Sequence, residues 1–211
     1  MTTINNAIDK ATQDSLTADA VLQDLLNGNV RFTENKPNSV NTSALISQTT
    51  SGQYPKAVIL SCIDSRVPVE MAFDQTIGDI FVARVAGNFE NTDILGSMEY
   101  SCKVAGSKLV FVLGHESCGA VKAACDHVEL GNITALLDNI QPAVTKSESE
   151  ISGDHNSSNT EFVNQTIKNN VLMTIDRIRE KSPILKEMED NGEIKIVGGV
   201  YHLSNGKVSM Y

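Results

Sequence analysis

Two short segments of this chain gather side chains that could do chemistry: Ser61-Cys62-Ile63-Asp64-Ser65-Arg66 and Gly114-His115-Glu116-Ser117-Cys118-Gly119. Together they offer two thiols and one imidazole. Cys62, His115 and Cys118 make a soft to borderline ligand set that suits zinc, with bonds near ~2.3 Å to sulfur and ~2.0 Å to nitrogen. Three protein ligands leave a fourth position open, which marks a catalytic rather than a structural zinc. Asp64 and Arg66 stand two residues apart, so in an extended loop their side chains fall on one side and can pair. Taken singly these signals are modest: a cysteine beside a strand is usually a small buried hydrophobe. Two such segments, each following an apolar strand, form a much stronger signal.

The elements that must position them follow from hydrophobic periodicity. Residues 57–60, 80–85, 109–113 and 194–197 read as strands, the first and third as apolar runs buried on both faces. Helical stretches lie between them, over 94–104 and 119–128. A long amphipathic helix is marked by Val163, Ile167, Val171, Ile175 and Ile178. Near the N-terminus Val21, Leu22, Leu25 and Leu26 have helical spacing, closed by Asn27-Gly28. Residues 33–56 read as polar and turn-rich, and 146–160 as a loop. Ser204-Asn205-Gly206 is a turn signal that closes 200–210 as a hairpin. Strands alternating with helices imply an α/β fold with a mostly parallel central sheet flanked by helices. The expected organisation is a single domain over 1–211, with an N-terminal helical arm over 1–35, a zinc-binding core over 55–211 and a C-terminal hairpin. In a parallel sheet, functional groups gather beyond the strand C-termini, so the two segments can meet there. A thiolate at Cys118 would gain from the start of the helix beginning near Gly119.

Composition narrows the partners. The chain has 211 residues, 41% of them hydrophobic, enough for one sizeable core. A net charge of -9 repels phosphate backbones and argues against nucleic acid. No apolar run approaches the roughly 18–20 residues that cross a bilayer, so no membrane partner is expected. The first twenty residues lack the basic-then-apolar pattern of a signal peptide, which points to a cytoplasmic location and reduced thiols. Cys102 and Cys125 fall in helical stretches and read as packing. His127, His155 and His202 have no partner motif.

C-x-D-S-R followed by G-H-x-x-C-G resembles the signature of the β-class carbonic anhydrases. Further matches are Gly28-Asn29 with Arg31-Phe32, Gly78-Asp79-Ile80-Phe81, Arg84-Val85-Ala86-Gly87-Asn88 and Gly198-Gly199-Val200-Tyr201. The resemblance spans about residues 20–210. It implies one Zn2+ per chain and reversible hydration of carbon dioxide to bicarbonate by zinc-bound hydroxide. It also implies that Arg66 orients Asp64, which accepts a hydrogen bond from that hydroxide. In some members the same aspartate becomes a fourth ligand, so Asp64 is a metal ligand in a closed state only. The substrate pocket implied by the family comprises Gln53, Val67, Phe81, Tyr100 and Gly119. It lies at a dimer interface, which implies a homodimer or homotetramer. Two thiolate ligands leave bound water less acidic than three histidines would, favouring alkaline activity.

Other functions remain open at this point. The same fold and ligands could hydrolyse carbon disulfide or carbonyl sulfide. A non-catalytic zinc protein would have no need of Asp64 as a hydrogen-bond acceptor, of Arg66 or of Gln53. A redox protein would be expected to carry C-x-x-C, which is missing here.

One departure from the family is informative. A bicarbonate-regulated subgroup has tryptophan three positions before the first zinc cysteine; Ile59 stands there in this chain, which contains no tryptophan. Arg84 matches that subgroup's arginine but also occurs in unregulated members. A ligand without differential affinity for two states shifts no equilibrium between them. Hydration rates across pH should therefore rise smoothly, with bicarbonate competing only as product. A steep cooperative loss of activity, deepened non-competitively by bicarbonate, would contradict this.

Overall fold

The structure, a computed structural model, describes residues 3–211. A short parallel pair, β1 (Thr3–Ile4) with β2 (Ser39–Val40), ties down the N-terminal segment. Helices α1 (Lys10–Ser15) and α2 (Ala18–Thr33) lie between these strands, and α3 (Thr42–Thr49) follows them. The main sheet contains β3 (Ala57–Ser61), β4 (Ile80–Arg84), β5 (Leu109–His115), β6 (Lys195–Tyr201) and β7 (Val208–Met210), in the spatial order β4-β3-β5-β6-β7. The first four are parallel; β7 returns antiparallel to β6 as the expected hairpin. The connections supply α4 (Val69–Ala72) and α5 (Thr92–Glu99). Between β5 and β6 come α6 (Gly119–Cys125), α7 (Asn132–Leu137), α8 (Gln141–Glu148), α9 (Thr160–Lys181) and α10 (Pro183–Asp190).

Alternation along β3 shows how the sheet is held. Val58 and Leu60 face a cluster containing Leu95 and Met98 of α5, Val171, Ile175 and Ile178 of α9, and Leu185 of α10. Ala57 and Ile59 face the other side, where Val21 and Leu25 of α2 meet Val69 and Ala72 of α4. With both faces covered, every residue of β3 and β5 is buried. A third apolar cluster, from α6, α7, α8 and the start of α9, sits beyond the carboxyl ends of the strands and includes Cys62 and Cys118.

Four local expectations are corrected. Helix α2 does not stop at Asn27-Gly28 but continues to Thr33. The reason is tertiary: a Cβ on Gly28 would lie 1.8 Å from the Phe73 carbonyl oxygen, so glycine lets the helix cross the end of α4 at backbone contact. Asn29 then donates to the carbonyls of Ala72 and Gly206 and accepts from the Val208 amide, joining α2 to the hairpin. Residues 33–56 contain β2 and α3, whose first turn is capped by the Asn41 side chain. The tract 146–160 begins inside α8. The helix expected over 94–104 divides: after α5 the chain makes a π-helical turn over Tyr100–Val104, with the Ala105 amide donating to the Tyr100 carbonyl at 2.9 Å.

Gly28→Ala should destabilise the protein by about 2 kcal/mol or more, because the obstructing atoms are backbone. Urea unfolding of the variant beside the wild type measures this; an unchanged midpoint would show that the crossing can open.

Candidate metal centre

Parallel pairing sets Ser61 beside Leu113, so the residues leaving β3 and β5 emerge together. Cys62 follows β3 directly and His115 ends β5. Ser117 then adopts a left-handed backbone (φ 52°), which turns the chain so that Cys118 stands at the start of α6. Cys62, His115 and Cys118 are all buried, and their ligand atoms lie within 4.8 Å of one another. Among the described residues no other group of three or more potential ligands converges in this way.

The donor set fits zinc on two observations. The sulfurs are 3.9 Å apart. A tetrahedral ion with metal–sulfur bonds near ~2.3 Å would space them by about 3.8 Å, whereas a disulfide needs ~2.05 Å. His115 Nδ1 lies 2.9 Å from the Glu116 carbonyl oxygen, so its N–H donates there. That leaves Nε2 with a lone pair, and Nε2 is buried without any hydrogen-bond partner.

Charge at the centre is also poised. The hydrogen bond from Cys118 brings the Cys62 thiol down to about 4 despite its burial. The same hydrogen bond, together with burial, pushes Cys118 up, while the amides of Val121 and Ala120 at the start of α6 oppose that rise. A divalent cation seated between the two sulfurs would displace their thiol protons.

Asp64 flanks the ligands, with Oδ2 3.9 Å from His115 Nε2. Arg66 holds it as a fork: Nε donates to Oδ1 at 2.9 Å and Nη2 to Oδ2 at 2.7 Å, while the Arg66 amide also donates to Oδ1. These bonds, above all the side-chain bond from Arg66, keep the Asp64 carboxyl well below the usual carboxylate range. It is therefore a pure acceptor at neutral pH, and Oδ2 keeps a lone pair for one further donor.

The carbonic anhydrase family profile matches residues 57–208. This chain belongs to the carbonic anhydrase family. It is 34% identical over 192 residues to carbonic anhydrase 2 of Mycobacterium tuberculosis, covering 87% of each chain. Its fold is similar to that of a Coccomyxa β-carbonic anhydrase in complex with acetazolamide, with a TM-score of 0.70 and 23% identity over 80% of this chain and 77% of that one. It is similar too to tetrameric β-carbonic anhydrases from Sordaria macrospora, with a TM-score of 0.69 and 22% identity over 78% of this chain and 84% of the other. The fold is thus that of the β class, and the chain is an enzyme of a family whose general reaction is hydration of carbon dioxide.

The residues expected to form the substrate pocket do not all come together within one chain. Gln53, Phe81 and Tyr100 line an open cavity of about 730 Å³ beside the edge strand β4, shared by none of the three ligands. The Phe81 and Tyr100 rings are tilted with centroids 6.3 Å apart, and Tyr100 is exposed. Val67 is fully buried in the core rather than on a cavity wall. Gly119 is exposed at the start of α6. Cys102 and Cys125 are buried away from the ligand cluster, and Cys125 lies 3.9 Å from the Thr166 hydroxyl.

Three supports were not read from the sequence as such. Arg84 donates to the carbonyls of Cys62, Asp64 and Val67 at 2.8, 2.7 and 3.2 Å, pinning the loop that carries Cys62 and Asp64. The Gly87 amide lies 3.4 Å from Cys62 Sγ and donates to it. Gly87 needs a positive φ of 82°, and Asn170 of α9 donates to its carbonyl at 2.7 Å. An asparagine beside Val171 on the buried face of a long helix was the available signal for that last contact.

Arg84→Lys keeps the charge but loses the fork that spans three carbonyls. Zinc content should stay at one per chain while carbon dioxide hydration falls between about 10- and 100-fold through loop misplacement. Metal analysis and stopped-flow assay on the same samples check it; full activity would remove Arg84 from the account.

Proposed function

We propose that this chain binds one zinc ion through Cys62, His115 and Cys118 and catalyses the reversible hydration of carbon dioxide to bicarbonate and a proton. The observation that carries this reading is the Asp64 carboxylate, gripped on both oxygens by Arg66 and held 3.9 Å from the unpartnered His115 Nε2. When bound, zinc supplies Lewis acidity that makes a coordinated water a usable nucleophile near neutral or alkaline pH.

The chain's own residues do the rest. Asp64 can only accept, so it holds the proton of the attacking oxygen on its own side and leaves the oxygen's lone pair facing the substrate. Arg66 keeps Asp64 from rotating toward the ligands and becoming one itself, which supports an open site. Arg66 is exposed and its ion pair adds little to stability, so its value lies in orientation. Gln53, Phe81 and Tyr100 stand on the β4 edge, and the related tetrameric enzymes support an oligomer; in this reading a second copy lays that cavity over the centre. Four free, buried cysteines suit a cytoplasmic setting.

The sign of the pH dependence follows from Asp64. Because its pKa in the folded chain is lowered, its stabilising pair with Arg66 is fully present above about pH 4 and is lost only as pH falls through the folded value. Any loss of activity between alkaline and neutral pH must come from another group. In stopped-flow hydration, Asp64→Ala and Arg66→Ala should retain zinc and lose about 100-fold or more in kcat/KM, while the wild type should turn over carbon dioxide in preference to carbon disulfide. Near-normal rates in both variants would refute the role given to the pair.

A further inference from the structure

A second cavity, of about 670 Å³, lies between the start of α9 and the β6–β7 hairpin. Three side chains in its wall form an unbroken hydrogen-bonded line. Ser209 Oγ is 3.0 Å from His202 Nε2, and His202 Nδ1 is 2.7 Å from Glu116 Oε1. The Leu203 amide donates to Glu116 Oε2 at 3.0 Å, so the carboxylate is fixed from both sides. With His202 Nδ1 donating to the Glu116 carboxylate oxygen, the neutral imidazole presents Nε2 as an acceptor for the Ser209 hydroxyl. A hydroxyl donating to an imidazole that a carboxylate orients is the arrangement that activates a serine nucleophile on unrelated folds.

The rest of the wall suits an organic substrate. Ile151, Ile167 and Val200 provide an apolar side. Lys168 and Tyr211 bring an ammonium and a phenol, with Lys168 Nζ 5.7 Å from the centre of the Tyr211 ring. The Tyr211 phenol is exposed and, like any phenol, is a donor at neutral pH. Both line the same cavity as Ser209, where donors of this kind suit a substrate that carries a carbonyl group.

We propose that Ser209 and His202, oriented by Glu116, form a second, metal-independent site that hydrolyses small carboxylic esters. Ser209 Oγ bonds to the ester carbonyl carbon as its proton passes to His202 Nε2. The carbon–oxygen bond to the leaving group then breaks, and His202 returns the proton to the departing alcohol. Water attacks the acyl-serine carbon and gives a proton to His202; the bond from that carbon to Ser209 Oγ breaks, His202 passes the proton to Oγ, and the carboxylic acid leaves. Ester and water become acid and alcohol, with no oxidant or reductant. Glu116 touches neither substrate nor reacting atom and is a positioning residue.

The test uses the full zinc-loaded chain and a fluorophosphonate, which reacts with activated serines, followed by peptide mass analysis. The adduct should fall on Ser209, and His202→Gln should abolish it although the serine is still present. With azide added to silence the metal centre, p-nitrophenyl acetate hydrolysis should drop about 100-fold in Ser209→Ala. Carbon dioxide hydration without azide should be unchanged in Ser209→Ala, which shows that the variant is folded. No adduct at Ser209, or azide-resistant hydrolysis that survives Ser209→Ala, would overturn the proposal and leave the three residues as a clamp that closes the hairpin.

Discussion

Two sulfurs and one imidazole nitrogen are buried together at the ends of adjacent parallel strands, and the protein satisfies them only in part. The sulfurs face each other at 3.9 Å and Cys62 receives the Gly87 amide, while His115 Nε2 has no hydrogen-bond partner. Polar groups buried in this way are costly unless something pairs with them, and a single cation among the three would pair with all of them. The spacing that makes this possible comes from the sheet. Ser61 pairs with Leu113 in β3 and β5. A one-residue slip would turn the side chains after each strand to the opposite face and separate the ligands. Metal affinity and correct strand register are therefore linked, as is general where folding assembles the ligand set.

The surroundings of the centre serve to keep short loops rigid. Arg84 crosses from β4 to hold three carbonyls of the loop after β3, and Asn170 reaches from α9 to hold the turn that presents the Gly87 amide. Arg66 fixes Asp64 from solvent. These contacts come from different elements, so the geometry of a few atoms depends on the packing of the whole sheet with its helices. The cavity containing Gln53, Phe81 and Tyr100 lies outside this arrangement, on the β4 edge, where the π-helical turn sets Tyr100 outward.

The sequence was most legible where chemistry and periodicity coincide. Apolar runs at 57–60 and 109–113 mark strands because a parallel sheet buries both faces, and Cys62, His115 and Cys118 at or just beyond their ends are the residues the fold brings together. It was least legible where a residue acts through a tertiary contact. Asn27-Gly28 has the composition of a helix stop, yet Gly28 is there to admit the Phe73 backbone. Glu116 and His202 are 86 positions apart, and only the β5–β6 register brings them to 2.7 Å. Arg84 was visible as part of a family-like stretch, but its three carbonyl partners depend on the path of the folded loop.

Zinc K-edge X-ray absorption on protein loaded with one equivalent of zinc tests the central claim most directly. The account predicts two sulfur neighbours near ~2.3 Å and lighter neighbours near ~2.0 Å. Cys118→Ser should remove one of the two sulfurs, and Cys125→Ser should leave the spectrum unchanged. A shell with no sulfur, or with more than two, would contradict it.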